Sequence, residues 1–397
     1  MRRARRVAIL TGHFPPSNLA GVHRARLWAK HLPEFGWEPI VVTAHPKYYE
    51  EKLDPALLEL VDPSIRVVHT KAVPAGPPRI IGDIGLRALY WQFEALNELI
   101  SRNEIDFLHI TIPSNYAALL GQALYRRHRF PFGIDYQDPW VHIWPGVEKT
   151  FSKAWASHRL ATWLEPWAVK NAVLITGVAE SYYQPVLERN PHLRERCVTA
   201  AMPIGNSEAD YEALDRAARD TFLFRKDDGL YHLVYAGALL PKAHVVLERF
   251  LKSLVVLRDR HPTIMDRLRV HFVGTGTSAN DPEGYSIRPY VQRMGLERWV
   301  DEHPNRISYV DVLNHLLHAS AILILGSSES HYTPSKVYQA VQAKRPVFAL
   351  LHEQSTAVGL LRDIGAGSVS TLTESRLPSA EELASALSAF IQAPHTP

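Results

Sequence analysis

Short apolar runs bounded by turn residues alternate with longer segments of helical periodicity along nearly the whole chain, and this alternation restricts the fold more than any other feature. A short run with no polar alternation suits a strand buried on both faces, and such strands belong to parallel sheets covered by helices. In the first half the spacing predicts strands over 7–10, 39–43, 66–69, 107–110, 133–136 and 173–176, with helices over 22–35, 86–103, 115–128 and 158–170. A second set of strands, 233–236, 269–273, 307–309, 322–325, 346–350 and 368–371, alternates with helices over 243–259, 287–294, 310–319, 335–343 and 356–364. The expectation is an α/β protein of two doubly wound, Rossmann-like domains facing a central cleft, with ligands beyond the carboxyl ends of the strands.

At 397 residues the chain exceeds one ordinary core. The polar stretch 203–229, which includes Lys226, Asp227, Asp228 and Gly229, marks the domain crossing. The domains are therefore expected at 1–205 and 206–379. The terminal segment 380–397, helical by pattern over 381–392, is expected to pack back on the first domain.

With 46% hydrophobic and 21% charged residues the composition is globular rather than disordered or membrane-spanning. The apolar run 7–10 that follows four N-terminal arginines is too short for a leader or a spanning helix, and reads as the first strand. A single cysteine, Cys197, excludes an internal disulfide and a cysteine-based metal cluster, so the cytoplasm is the expected compartment. The net charge of +3 is too small to argue for nucleic acid. Basic residues nevertheless cluster at 2–6 and at Arg126, Arg127 and Arg129, near the aromatic segment 86–100 with Tyr90, Trp91 and Phe93. That pattern suits either peripheral contact with an anionic membrane at the inner face of the plasma membrane, or helices that pack on a sheet and show water a basic edge.

Two segments carry ligand chemistry. In the run 333–349, Ser335 and Lys336 stand where a helix should begin, so backbone N–H groups and an ammonium converge on an anion such as a diphosphate; an ordinary N-capped helix with a solvated lysine reads equally well from this segment alone. The first loop, 11–21, runs from a strand to a helix start and ends in Gly21, which lets backbone amides approach an anion. It has neither the dinucleotide fingerprint nor the phosphate-loop spacing, which argues against hydride transfer and ATP hydrolysis.

In order along the chain, Phe14, Pro15, Pro16, Gly21, Arg24 and 27–30, then 36–43, 135–140, 233–242, 270–276 and the 335–349 run resemble the motifs of family 4 glycosyltransferases. The resemblance spans nearly the whole chain. It implies the two-domain GT-B fold and transfer of a sugar from a nucleotide-sugar donor with retention at the anomeric carbon. It also implies no cofactor and no obligatory metal; in agreement, the sequence contains no Asp-x-Asp triplet to hold a divalent ion between diphosphate oxygens. Lys242 and Lys336 would then neutralise the leaving diphosphate, with Ser335 adding a hydroxyl and amide contact and Gly237 and Gly274 admitting close approach. Gly21 and Arg24 would face the reacting groups from the other domain.

Some positions depart from the family pattern. Two family glutamates, eight positions apart, fall here on His331 and Gln339; Gln339 still hydrogen-bonds ribose hydroxyls through its amide, and Glu329 substitutes for the first if the loop bulges. On the acceptor side, Gln137 and Asp138 stand where many relatives carry His-Asp, and Asp138 is the expected proton acceptor or donor-sugar contact. His13 is the other base candidate, and Trp140 and Trp144 are candidates for stacking on a sugar or lipid-linked acceptor. The expected activity is a cytoplasmic glycosyltransferase acting on a glycan, lipid-linked or small-molecule acceptor, in the assembly of a polysaccharide or other glycoconjugate. Alternatives are a non-catalytic nucleotide-sugar-binding subunit and a GT-B sugar-nucleotide epimerase.

Overall fold

A computed structural model of the chain describes residues 4–76, 82–142, 147–217, 219–239, 241–276, 284–328 and 336–394. The chain divides into two units, Met1–Gly205 and Asn206–Pro397, each with its own sheet.

The first unit holds β1 (Arg5–Leu10), β2 (Trp37–Ala44), β3 (Arg66–Thr70), β4 (Phe107–Ile112), β5 (Phe132–Tyr136), β6 (Leu174–Gly177) and β7 (Val198–Ala201), all parallel, in the spatial order β3-β2-β1-β4-β5-β6-β7. Strand β1 lies between β2 and β4, with Val7 paired to both Pro39 and Phe107. Its continuous apolar run follows from having both faces covered. Ala8 and Leu10 join a core with Ile110, Phe132 and Ile134, whereas Ile9 packs on the opposite face with Phe14, Ala25 and Ala29.

The second unit holds β8 (Tyr231–Ala236), β9 (Leu268–Val273), β10 (Val300–His303), β11 (Ala321–Leu325), β12 (Val347–His352) and β13 (Gly367–Leu372), again all parallel, in the order β10-β9-β8-β11-β12-β13. Its core gathers Leu233, Tyr235, Phe250, Phe272, Phe348 and Leu350. Strand order reverses beside β1 in the first sheet and beside β8 in the second, which makes the carboxyl ends of those strands the expected ligand positions. Among the described residues, no helix is long and apolar enough to cross a membrane.

Four sequence expectations are corrected. The terminal helix Ala380–Gln392, closed at its start by a capping box of Ser379 and Glu382, packs through Leu383, Leu387 and Phe390 into the second unit's own core, beside helix His244–Arg260. Its apolar stripe has a complete partner there. The strand expected over 307–309 lies earlier, as β10, because Ser308 caps helix Tyr309–His318 by accepting from the Asp311 N–H at 3.0 Å. The sequence reading assigns no strand to 198–201, where β7 lies. The acidic segment taken as a crossing loop contains helix Glu208–Ala217, held by buried Tyr211 and Leu214.

Candidate functional site

In the second unit, the carboxyl ends of successive strands are stitched together by their own backbone. The Gly237 N–H after β8 donates to Val273 O at 2.7 Å, the Gly274 N–H after β9 to His303 O at 2.8 Å, and the Gly276 N–H to Pro304 O at 3.0 Å. Gly237 has φ +114° and Gly274 φ +68°, backbone shapes that disfavour side chains. The two turns lie close together: a Cβ on Gly274 would stand 3.9 Å from the Gly237 N and Cα. Beneath them Thr275 Oγ1 donates to Glu302 at 2.5 Å, and the same carboxylate accepts the Ser286, Ile287 and Arg288 N–H groups. The edge strand β10 thus anchors both the turn and the start of helix Arg288–Arg293.

Lys336 enters this rim from the first position of helix Lys336–Gln342, whose Val337 and Ala340 are buried against the sheet. Its ammonium lies 3.9 Å from the centroid of the Tyr235 ring, donates to Tyr235 Oη at 2.7 Å and approaches Ala238 O at 3.3 Å. A Cβ on Gly237 would stand 3.2 Å from Lys336 Cε and Nζ, so glycine leaves the lysine its place. Burial lowers the Lys336 pKa to about 7, although the side chain keeps partial contact with water. Among the described residues it has no carboxylate partner. Its ammonium is held among an aromatic ring, a hydroxyl and a carbonyl, all neutral.

Three residues further on, Gln339 Nε2 donates to Tyr309 Oη at 3.3 Å, while Tyr211 Oη donates to the Gln339 carbonyl at 2.7 Å and Tyr309 Oη to Asn206 Oδ1 at 3.2 Å. Gln339 therefore sits in a ring of neutral hydroxyl and amide groups. Lys242 is exposed in the turn Pro241–Ala243. Glu329, His331, Ser335 and Trp144 lie outside the described residues.

In the first unit, the expected role of Arg24 is corrected. Its guanidinium is buried and donates to both oxygens of Asp135, Nε to Oδ2 at 2.5 Å and Nη2 to Oδ1 at 2.6 Å, and Nη1 to Met202 O at 2.5 Å. Asp135, fully buried, also accepts Thr176 Oγ1 at 2.6 Å. The arginine thus holds β5 to the end of the unit. Trp140 is likewise a core residue, edge-on to Tyr116 at 5.9 Å, and not a stacking platform.

The remaining first-unit candidates do lie at strand ends. Gly21 is the second residue of helix Ala20–His31, and a Cβ there would meet Gln137 Oε1 at 3.2 Å. Asp138, one residue beyond, is exposed at the surface, yet desolvation raises its pKa, with His142 opposing. His13 follows β1, with Nε2 3.7 Å from Glu51 and its ring 4.8 Å from Tyr49; burial lowers its pKa and the Glu51 charge pulls it back up. Tyr49 Oη accepts the Phe14 N–H at 3.1 Å and holds the loop.

Sequence reasoning missed Tyr235, which seats Lys336, the Tyr211–Tyr309 pair at Gln339, and a carboxylate at the β1–β4 switch. That carboxylate is Asp83, which caps helix Ile84–Ser101 by accepting the Leu86 N–H at 2.8 Å and has its pKa raised by burial. Gly12 and Gly85 both crowd Ser114 after β4, placing Asp83 and Ser114 at the strand ends. Among the described residues, no group of three or more His, Cys, Asp and Glu side chains gathers to hold a metal.

Two parallel, doubly wound units in succession are the GT-B fold, and comparison with solved structures agrees. The chain is similar to a glycosyltransferase from Rickettsia africae ESF-5 at 13% identity and a TM-score of 0.55, covering 97% of this chain and 87% of that one. It is similar to HepE of Anabaena, solved in complex with UDP and glucose, at 14% identity and a TM-score of 0.56 over 98% and 90% of the two chains. A putative UDP-N-acetylglucosamine 2-epimerase from Listeria monocytogenes also aligns, at 12% identity and a TM-score of 0.52 over 98% and 88%. No family model matches the chain, and no curated protein matches it. At such identities the likeness concerns the fold.

Proposed function

We propose that the chain is a family 4-like glycosyltransferase that moves a sugar from a nucleotide-sugar donor to an acceptor hydroxyl, with retention at the anomeric carbon and without an obligatory metal. The observation that carries the reading is Lys336: a desolvated ammonium with no carboxylate partner among the described residues, at the strand-order reversal of the second sheet, beside two glycine turns. When the bond from the anomeric carbon to the diphosphate breaks, negative charge grows on the leaving oxygen. A cation already stripped of water stabilises that charge without reorganising. Lys242 and Ser335 would add to the cradle, Gly237 and Gly274 admit the nucleotide, and Gln339 would hydrogen-bond the ribose through its amide.

Asp138 would accept the acceptor's proton as the new glycosidic bond forms, and its raised pKa makes it a better base than an ordinary carboxylate. His13 and Gly21 would line the acceptor side. The acceptor is a glycan, a lipid-linked sugar or a small molecule in glycoconjugate assembly, and contact of the first unit with an anionic membrane belongs to the same reading, as does a cytoplasmic location. The bound UDP and glucose of Anabaena HepE support a nucleotide-sugar ligand for this fold.

A second reading is a non-catalytic nucleotide-sugar-binding subunit. Gln339 in place of an acid favours it, because a neutral amide grips a ribose less firmly than a carboxylate. An epimerase would instead need a carboxylate base at the sugar, and Asp83, whose pKa burial raises, is a first-unit candidate. A thermal-shift screen against UDP, GDP, ADP, CMP, dTDP and their sugars tests the cradle. A shift with one nucleotide that disappears in Lys336→Ala supports it; no shift with any, in folded protein, overturns it. Turnover of the stabilising donor then separates transferase, epimerase and binding subunit by product.

A further inference from the structure

In the second unit, residues 219–224 form a short strap between helix Glu208–Ala217 and β8, lying against helix Tyr309–His318. The helix before the strap carries Tyr211, and the strand after it ends at the Gly237 turn. The strap has no regular backbone pairing, and side chains of helix Tyr309–His318 fasten it instead. Fully buried Asn314 donates from Nδ2 to Arg219 O at 3.2 Å and to Asp220 O at 2.9 Å, and Arg219 pairs with Asp311 at 3.1 Å. His315, also buried, takes the next two residues: its Nε2 accepts the Phe222 N–H at 3.1 Å and the Leu223 N–H at 3.2 Å. Phe224 ends the strap, buried and stacked on the His232 ring at 4.3 Å.

The partners of His315 fix where its proton sits. Nδ1 lies 2.6 Å from Asp311 O, a carbonyl that can only accept, so Nδ1 carries the proton. Nε2 faces two backbone donors and must offer its lone pair. One lone pair therefore holds two strap amides. A second proton on the ring would turn this acceptor into a third donor, leaving buried N–H groups facing one another with nothing to accept them. Burial lowers the His315 pKa, the Asp311 carbonyl and carboxylate pull it back up, and His303 on β10 lowers it again. The remaining charged and titratable groups around it lie on the strap and the sheet. Lys226 Nζ donates to Arg219 O at 2.9 Å, and His232 of β8 stands between Asp228 and His271 of β9, 3.0 Å from each. Burial draws the His271 pKa down to about 3, so that ring stays neutral in mild acid beside Phe224.

We propose that His315 is the catch of a pH-sensitive latch: its neutral ring fastens the strap at Phe222 and Leu223, and protonation releases those two residues while Asn314 and Phe224 hold the ends. The sign follows from the geometry. The fastened form excludes the second proton, whereas the released form takes it at the ordinary histidine value of 6.5. The latch is at full strength above that pH and weakens by at most about tenfold per pH unit below it. This inference is independent of the donor reading at Lys336.

The test is amide exchange on the full chain without nucleotide, expressed as protection relative to the unstructured rate at each pH. Between pH 8 and pH 5 the Phe222 and Leu223 amides should lose about tenfold or more of their protection while the amides of β8 and β11 keep theirs. The nitrogen-15 shifts of His315 should move over the same range from the Nδ1–H tautomer to the imidazolium. His315→Gln offers an amide oxygen in place of Nε2 at every pH and should keep both amides protected at pH 5. His315→Ala should leave them unprotected already at pH 8. The proposal is overturned if the parent shows no such step, if β8 and β11 lose protection in the same step, or if the glutamine variant repeats the step at full size. Should the glutamine variant fail to fasten the strap at pH 8, the parent decides: loss of protection together with the His315 shifts supports the latch, and loss without them overturns it.

Discussion

Arg24 and Lys336 are both cations near strand ends, one in each unit, and their surroundings are opposite. Arg24 meets a fully buried carboxylate and two backbone carbonyls, so its charge is spent inside the fold. Lys336 meets a tyrosine ring, a hydroxyl and one carbonyl, all neutral, and burial has drawn its pKa down to about 7. A buried pair stiffens a protein, whereas a buried cation without its counter-charge stores an unmet demand that an anionic ligand satisfies.

The largest expected effect breaks the first member of the comparison. Asp135→Ala strands the Arg24 guanidinium among buried groups and should cost about 3–5 kcal/mol of stability in urea unfolding. If the loss is below about 1 kcal/mol, the usual yield of an exposed pair, the pair is not structural and Arg24 returns as a ligand candidate. Next, Lys336→Ala should weaken binding of the stabilising nucleotide by about 2 kcal/mol, the scale of a charge-assisted hydrogen bond, with little change in melting temperature. Equal loss of stability and affinity would make Lys336 a structural residue like Arg24.

The pH dependence is smaller and has a definite sign. An anionic ligand favours the protonated lysine, so affinity for a sugar diphosphate, which has no proton to lose near neutrality, should be greatest below about pH 7. It should fall by at most about tenfold per pH unit above it. Lys336→Arg should flatten that profile, because a guanidinium stays charged throughout. A profile that is unchanged in the arginine variant points to another titrating group. The smallest effect sharpens the comparison: Gln339→Glu should tighten nucleotide binding by no more than about 1 kcal/mol, as a carboxylate replaces an amide at the ribose. Tighter binding of that size by calorimetry supports the assignment, and weaker binding places the ribose elsewhere.

The strands buried on both faces were legible in the sequence because of their continuous apolar runs, 7–10 in β1, 233–236 in β8 and 321–325 in β11. Two of the four edge strands were not. Strand β7 has the short, largely exposed run Val198–Ala201, and β10 carries Asp301, Glu302 and His303 after its single buried valine. Helix Glu208–Ala217 looked like a linker because its acids dominate, and only the spacing of Tyr211 and Leu214 betrays its buried side. In the candidate site, the motif order pointed to Lys336, Gly237 and Gly274, since glycine and lysine keep their meaning locally. The ion pair of Arg24 was not legible because its partner lies 111 positions away, and a side chain's distant carboxylate leaves no mark on its neighbours in sequence. Trp140 misled for a related reason: its loop position suggested exposure, while Tyr116 and the core enclose it.

The Arg24 knot also sets an order of events during synthesis. Its carboxylate partner follows 111 residues later, and its carbonyl partner, Met202, 178 residues later. At roughly 5–20 residues made per second, Asp135 is available several seconds before Met202 exists. In that interval the guanidinium can neutralise its acid but cannot finish its bonds, so the amino-terminal half is complete only when its last strand has left the ribosome. The final residues of that half therefore act as a latch, fastened just before the second half begins to emerge.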